Sequence, residues 1–212
     1  MRDILQNSLE AFNWHSGWII WNLFLAFIPL VLSFFLYRRR SLRRSILWWI
    51  AFLVFFAFLP NAPYLLTDII HLIRATRSGY SAFIIVLVFI PLHLFAITAG
   101  FQAYVVAVMN QSVYLKRIGA EKYIVWAELA THALSAIGVY LGRFRRFNSW
   151  DFVTDPGNIL ISTVDDLTSK RPLLVMGISF VILTILYWIV KQINLGLWLR
   201  FKELRASGHW FE

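Results

Sequence analysis

The sequence predicts an all-α protein, a polytopic helical membrane bundle with about five transmembrane helices and an interfacial helix after the second span. Three observations predict it. Of 212 residues, 59% are hydrophobic, 17% aromatic and only 15% charged, a composition whose apolar surface no soluble domain of that length could cover. Several apolar runs approach or exceed the roughly 18 to 20 residues needed to cross a bilayer. The net charge of +9 sits in short basic clusters between those runs, as topology signals do, and not along one soluble face as a nucleic-acid binder requires.

The chain reads as a single integral membrane domain over residues 1–212. Its first residues, MRDILQNSLEAFNWHSG, mix Asp3, Glu10, Asn13 and His15 with apolar positions. They lack the form of a cleavable signal, so the first span is expected to stay in the mature protein. That span covers residues 17–37 and the second covers 46–59. Between them lie Arg38, Arg39, Arg40, Arg43 and Arg44, which should hold this short loop in the cytoplasm. The N-terminus is then outside and the second span runs outward to Pro60-Asn61-Ala62-Pro63, where a new helix starts at Pro63.

The third apolar stretch, residues 80–109, is long for one perpendicular span and short for two spans plus a turn, and reads as one tilted helix. A hairpin at Gly100 and Gln102 is the alternative and would give six spans. A cytoplasmic loop with Lys116, Arg117 and Lys122 leads to the fourth span at 123–141, an outer segment to about Pro172, and the fifth span at 173–190. The tail, 191–212, interleaves Lys191, Arg200, Lys202 and Arg205 with Leu195, Leu197, Trp198, Leu199 and Phe201, a pattern suited to an amphipathic helix on the inner leaflet. More of the 20 Lys and Arg fall inside than outside in this arrangement, as the charge bias demands. Zero cysteines exclude disulfides, thiolate metal sites and iron-sulfur clusters.

Two polar constellations fall on the outer side. Asn61, Tyr64, Thr67, Asp68 and His71 fall on one side of the helix beginning at Pro63, with Leu65, Leu66, Ile69, Ile70, Leu72 and Ile73 on the other. A carboxylate and an imidazole one turn apart suit acid/base or metal-binding work, and an interfacial helix with a wet face is the plainer account. The second constellation is Gly142-Arg143-Phe144-Arg145-Arg146-Phe147-Asn148-Ser149-Trp150-Asp151. Guanidinium groups interleaved with aromatics suit an anionic lipid headgroup or lipid-linked substrate. The plainer account is snorkelling to bulk phospholipid, with Asn148 or Ser149 capping a helix. Candidate catalytic groups are therefore Asp68, His71 and Asp151. Candidate substrate contacts are Asn61, Tyr64, Arg143, Arg145, Arg146, Asn148 and Trp150.

Within the fourth span, Glu128, Thr131, His132, Ser135, Gly138 and Gly142 form one stripe. Ionisable groups at membrane depth are costly and should face protein or water. Glu128 and His132 can pair with each other, carry a proton, or join His93 around a metal, and Gly138 with Gly142 permits close helix contact. Haem between two histidines lacks the regular pairing of ligands within spans that would support it. Thr154-Asp155-Pro156-Gly157-Asn158 is a cap for a helix with Ile159, Leu160, Val164 and Leu167 on an apolar side and Asp165 and Asp166 solvated. Phosphate-binding glycine loops, zinc motifs and nucleophile elbows do not occur in the sequence.

Three stretches, Trp21-Asn22-Leu23-Phe24-Leu25-Ala26-Phe27-Ile28-Pro29, the run from Phe58 to Leu72 and the run from Gly138 to Asp151, resemble a bacterial membrane-protein family catalogued as domain of unknown function 1361. Phe147 stands where the family pattern is expected to have Trp. The resemblance covers most of the chain and implies a polytopic protein of the bacterial inner membrane, N-terminus outside by the charge argument, without implying an activity or cofactor. The functional expectation is a site at the outer membrane interface for an anionic lipid or lipid-linked substrate. Two alternatives stand beside it: an assembly or accessory subunit with a membrane-protein partner, and a transporter or proton path through His93, Glu128 and His132.

Overall fold

In a computed structural model the chain is described over residues 2–39, 44–77 and 79–207, with backbone only for 2–16 and 75. Arg40 and Arg43 of the basic loop, and residues 208–212 of the tail, lie outside the described residues. Among the described residues five helical stretches are long and apolar enough to cross a membrane: Gly17–Arg38, Ile46–Arg74, Ala82–Arg117, Glu121–Arg145 and Lys170–Ser207. The protein is a multi-pass helical membrane protein.

Helix α1 (Arg2–Ser33) ends in a widened turn, Phe34–Arg38. Trp48 Nε1 donates to Leu36 O in that turn at 3.1 Å. Helix α2 (Ile46–Phe58) starts at Ser45, whose hydroxyl accepts from Trp48 N at 3.3 Å, as an N-cap should. Pro60 and Pro63 cannot donate backbone hydrogen bonds, so the helix breaks there. Ala62 N turns to Leu59 O at 3.2 Å, and the Asn61 side-chain amide donates to Phe58 O at 2.9 Å. The chain resumes as α3 (Asn61–Tyr64), a tight turn at Leu65–Asp68, and α4 (Ile69–Thr76).

This resumed segment is no simple surface helix. Ala62, Leu65 and Asp68 are buried against the bundle, whereas Ile69, Ile70 and Ile73 face outward. The polar stripe expected to be wet is thus turned toward the bundle, while the apolar stripe divides, with Leu65 in the core and Ile69, Ile70 and Ile73 outward, as a lipid solvent requires. Three glycines make room for it. A side chain at Gly138 would strike the Pro60 ring, one at Gly100 would strike Leu65, and one at Gly142 would come within 3.3 Å of Tyr64.

Gly100 is therefore a packing glycine, and the hairpin alternative is not realised. Helices α5 (Ala82–Ile84) and α6 (Ile90–Arg117) join through a widened turn at Ile85–Phe89 into one helical path. It reaches past residue 109, so Lys116 and Arg117 belong to its last turn. Gly119, at φ +72°, reverses the chain. Helix α7 (Ile124–Tyr140) ends in a third widened turn, Leu141–Arg145, and Arg146 then adopts the left-handed conformation at φ 60°. Two helices follow, α8 (Asp151–Thr154) and α9 (Pro156–Thr168), the latter capped by Asp155.

Helix α10 (Lys170–Ser207) is continuous. Residues 191–207 extend the fifth span and do not form a separate surface helix. At about 1.5 Å per residue its 38 residues outreach a hydrocarbon core of about 30 Å. The core joins Ala26, Phe55, Leu65, Tyr104, Val108 and Leu183, drawn from the spans that pack around α6.

The two ends of the bundle differ. At one end, here the arginine end, Arg38 Nε donates to Asn110 Oδ1 at 2.6 Å, and Arg117 Nη1 donates to Arg39 O at 2.8 Å. Arg44 Nε donates to the Tyr114 hydroxyl at 3.0 Å. The other end is built around the Pro60 break.

Candidate functional site

At the Pro60 end, α1, the α2–α4 path, α7 and the Arg146–Trp150 connection enclose a cavity of about 500 Å³. Its basic lining is Arg74, Arg143, Arg146 and His71, with no carboxylate among the described residues. Asp68 lies just behind this lining, its side chain 3% exposed.

Arg143 is fixed from several directions. Its Nη2 donates to Asp68 Oδ1 at 2.7 Å, and its Nε donates to Thr67 Oγ1 at 3.0 Å. The guanidinium lies over the Tyr64 ring at 4.4 Å. Asn22 Nδ2 donates to the second carboxylate oxygen of Asp68 at 3.4 Å. His71 Nε2 stands 3.9 Å from Asp68 Oδ1, beyond hydrogen-bond reach, and the Trp18 ring packs on the imidazole at 4.7 Å. Asp68 is thus first the counter-ion of Arg143, with His71 as its more distant neighbour. The imidazole presented to the cavity, with a carboxylate behind it, is the acid/base candidate of the site.

The two sequence constellations are brought together. Asn61 Nδ2 donates to Ser149 Oγ at 2.7 Å, so the Pro60 break and the post-α7 connection touch directly. Asn61, Tyr64, His71, Arg143, Arg146, Asn148 and Trp150 all line the cavity.

Arg145 and Asp151 do not line it. Arg145 is two residues from Arg143, a spacing that puts side chains on nearly opposite sides of a helix. Its Nε and Nη2 grip Asp166 at 2.9 and 2.7 Å and tie α9 to the end of α7. Asp166, expected to be solvated, is buried to 2% exposure by this pair and the surrounding packing. Asp151 Oδ2 accepts from Asn148 N at 2.7 Å and holds the turn that leads into α8. Both residues build the wall of the site from outside.

Arg146 is different again. It lines the cavity, is exposed, and has no ion-pair or hydrogen-bond partner among the described residues. Its left-handed backbone is one that glycine adopts without penalty and that costs other residues about 1–2 kcal/mol.

Sequence reasoning missed Thr67 as an arginine acceptor and Asn22, Trp18 and Arg74 altogether. Asn22 carried a readable signal, because a lone amide inside an apolar span requires a partner. Arg74 and Trp18 carried none.

The inner stripe of α7 forms a separate group. Ser112 Oγ, the Tyr187 hydroxyl and Lys191 Nζ all donate to Glu128 Oε1, at 2.7, 2.7 and 2.6 Å. The Tyr104 hydroxyl is hydrogen-bonded to His132 Nδ1 at 2.6 Å. His93 belongs elsewhere, its Nδ1 donating to Phe89 O at 2.8 Å and its ring beside Trp18. The three groups therefore do not converge, and no cluster of three or more His, Asp or Glu among the described residues could hold a metal ion.

A family model described as a protein of unknown function (DUF1361) matches residues 21–185. That range contains Asn22, Asp68, His71 and the whole stretch from Arg143 to Asp166. No curated protein and no solved structure matches the chain.

Proposed function

We propose, for a chain that belongs to the DUF1361 family of proteins of unknown function, that the cavity at the Pro60 end binds the headgroup of an anionic lipid or lipid-linked substrate on the extracytoplasmic face of a bacterial inner membrane. The arginine end then lies in the cytoplasm, in keeping with the positive-inside bias, and the N-terminus lies outside.

The carrying observation is the lining itself. Three arginines and a histidine face a cavity with no carboxylate among the described residues, an arrangement that repels cations and favours phosphate or carboxylate ligands. The lining also includes Trp21, Trp150 and Phe152, which are 51, 43 and 47% exposed. Aromatic side chains so placed suit the membrane–water boundary, where an amphiphile enters head first. Asp68 positions Arg143, and Arg146 supplies the uncommitted guanidinium.

An αL arginine costs backbone energy that a glycine would not, and such strain is typically kept where a side chain is needed. This separates function from folding in one variant. Arg146→Gly should leave the thermal midpoint unchanged or raised while weakening binding of an anionic lipid to the protein in zwitterionic nanodiscs by about tenfold, or 1.4 kcal/mol. Equal binding by the wild type and this variant overturns the proposal.

A partner-subunit reading draws on α10, whose Leu197, Trp198 and Leu199 are 65, 58 and 53% exposed beyond Lys191. Stable co-purification of another membrane protein, lost when these residues are replaced by Ser, would support it. A proton or transport path has less support. Its three residues do not form one group: His93 is bonded to Phe89 O beside Trp18, whereas His132 is bonded to Tyr104, and Glu128 to Ser112, Tyr187 and Lys191.

A further inference from the structure

The lining of the cavity is chemically divided. Leu25 lies eight residues, about 12 Å of helix, inside the start of the first span at Gly17, and Trp21 lies between them. Arg143, fixed by Asp68, and Arg146, beyond the end of α7, supply the cations. Asn148, Ser149 and Trp150, on the connection held against Asn61, supply an amide, a hydroxyl and an indole.

The amide is available. Asn148 spends its backbone N–H on Asp151, but its side chain has no hydrogen-bond partner among the described residues. Ser149 Oγ accepts from Asn61 and keeps its proton to donate. An amide and a hydroxyl next to an exposed indole suit a polyol ring, with hydroxyls meeting the polar groups and the C–H face meeting the aromatic face. Size agrees. A cavity of about 500 Å³ falls in the roughly 300–1,000 Å³ range that encloses a whole small molecule, so a phosphate alone would leave most of it unfilled.

We infer that the ligand is a glycosylated lipid phosphate: its chain runs along Trp21 and Leu25, its phosphate meets Arg143 and Arg146, and its sugar meets Asn148 and Trp150. This rests on the anionic-lipid reading above and adds the sugar to it. No bond is made or broken in this proposal.

The test uses the full chain in zwitterionic nanodiscs with three probes, polyprenyl phosphate, glucose joined through phosphate to the same polyprenol, and soluble glucose 1-phosphate, read by native mass spectrometry. The glycosylated lipid should bind about tenfold tighter than polyprenyl phosphate, and glucose 1-phosphate far more weakly than either. Asn148→Ala, at an unchanged thermal midpoint, should weaken binding of the glycosylated lipid more than that of polyprenyl phosphate and so narrow the preference for the sugar; an unchanged preference overturns the sugar inference. Equal affinity of the two lipids in the wild type overturns the sugar inference and leaves the anionic-lipid reading standing. Soluble glucose 1-phosphate binding as tightly as the glycosylated lipid overturns the place given to the lipid chain along Trp21 and Leu25. Failure of both lipids to bind above the zwitterionic background overturns this inference and the parent reading together.

Discussion

Arg143 and Asp68, 75 positions apart in the chain, meet at 2.7 Å with side chains only 17 and 3% exposed. A buried pair of this kind contributes little beyond what an apolar pair would, but removing one partner strands the other charge. The pair joins the end of α7 to the segment after Pro60, so stranding either group loosens the wall of the cavity.

Asp68→Asn and Arg143→Gln should each destabilise the protein by about 3–5 kcal/mol if the partner stays buried, less where Arg143 reaches solvent. The double variant should cost less than the sum, by about 0.5–3 kcal/mol. Thermal midpoints in one detergent complete the cycle, and strictly additive losses would mean that the contact carries no coupling.

Two of the packing glycines, Gly138 and Gly142, should rank in a definite order, with Gly177 as the control. At Gly138 an added Cβ would fall on the Pro60 ring, 2.6 Å from its Cβ, and a proline ring cannot rotate away. At Gly142 the neighbour is the Tyr64 ring at 3.3 Å, which can shift by a few tenths of an ångström. Gly138→Ala should therefore cost about 1–3 kcal/mol as overpacking, Gly142→Ala less, and Gly177→Ala, with nothing within 4 Å, should show no packing penalty. Recovery of Gly138→Ala by Pro60→Ala would locate the clash, since replacing the proline opens the space.

How much of this was legible in the sequence depended on the range of each interaction. The five spans follow from hydropathy alone, whereas Asp151, expected among the catalytic candidates, accepts from Asn148 N in the turn before α8. Asp68 and His71 could be placed on one face by local periodicity. That Asp68 answers Arg143 could not, because charge in a sequence carries no distance. The arginine cluster read as one anion site divides three ways, to Asp68, to Asp166 and to the cavity. Helical rotation separates Arg143 from Arg145, whereas the αL turn that frees Arg146 has no glycine to announce it. Around Gly100 the long apolar stretch read correctly as one helix but left a hairpin open as the alternative, because a glycine for close packing and a glycine for a turn look alike without the neighbour.

The Arg145–Asp166 contact predicts what holds α9. The pair is bidentate, and Asp166 is 3% exposed in its side chain while Arg145 is 45% exposed. Asp166→Asn should detach α9 from the end of α7 more than it lowers global stability. The measurement is limited proteolysis between Thr154 and Ser169, expected to accelerate in the variant at temperatures well below its thermal midpoint. Unchanged cleavage would mean that Ile159, packed with Tyr140, Leu141 and Met176, holds the helix without the ion pair.

The orientation on which the proposed site depends is open to a direct measurement, because the chain has no cysteine and one introduced thiol would be its only one. Gly157 opens α9 at the Pro60 end, and a side chain there meets nothing within 4 Å. Lys122 is exposed at the start of the fourth span, at the arginine end. Positive-inside charge bias predicts that Gly157→Cys reacts with a membrane-impermeant maleimide in intact spheroplasts, and that Lys122→Cys reacts only after permeabilisation. The reverse pattern would put the cavity in the cytoplasm, where its arginines would face inner-leaflet phospholipid instead of an exported substrate.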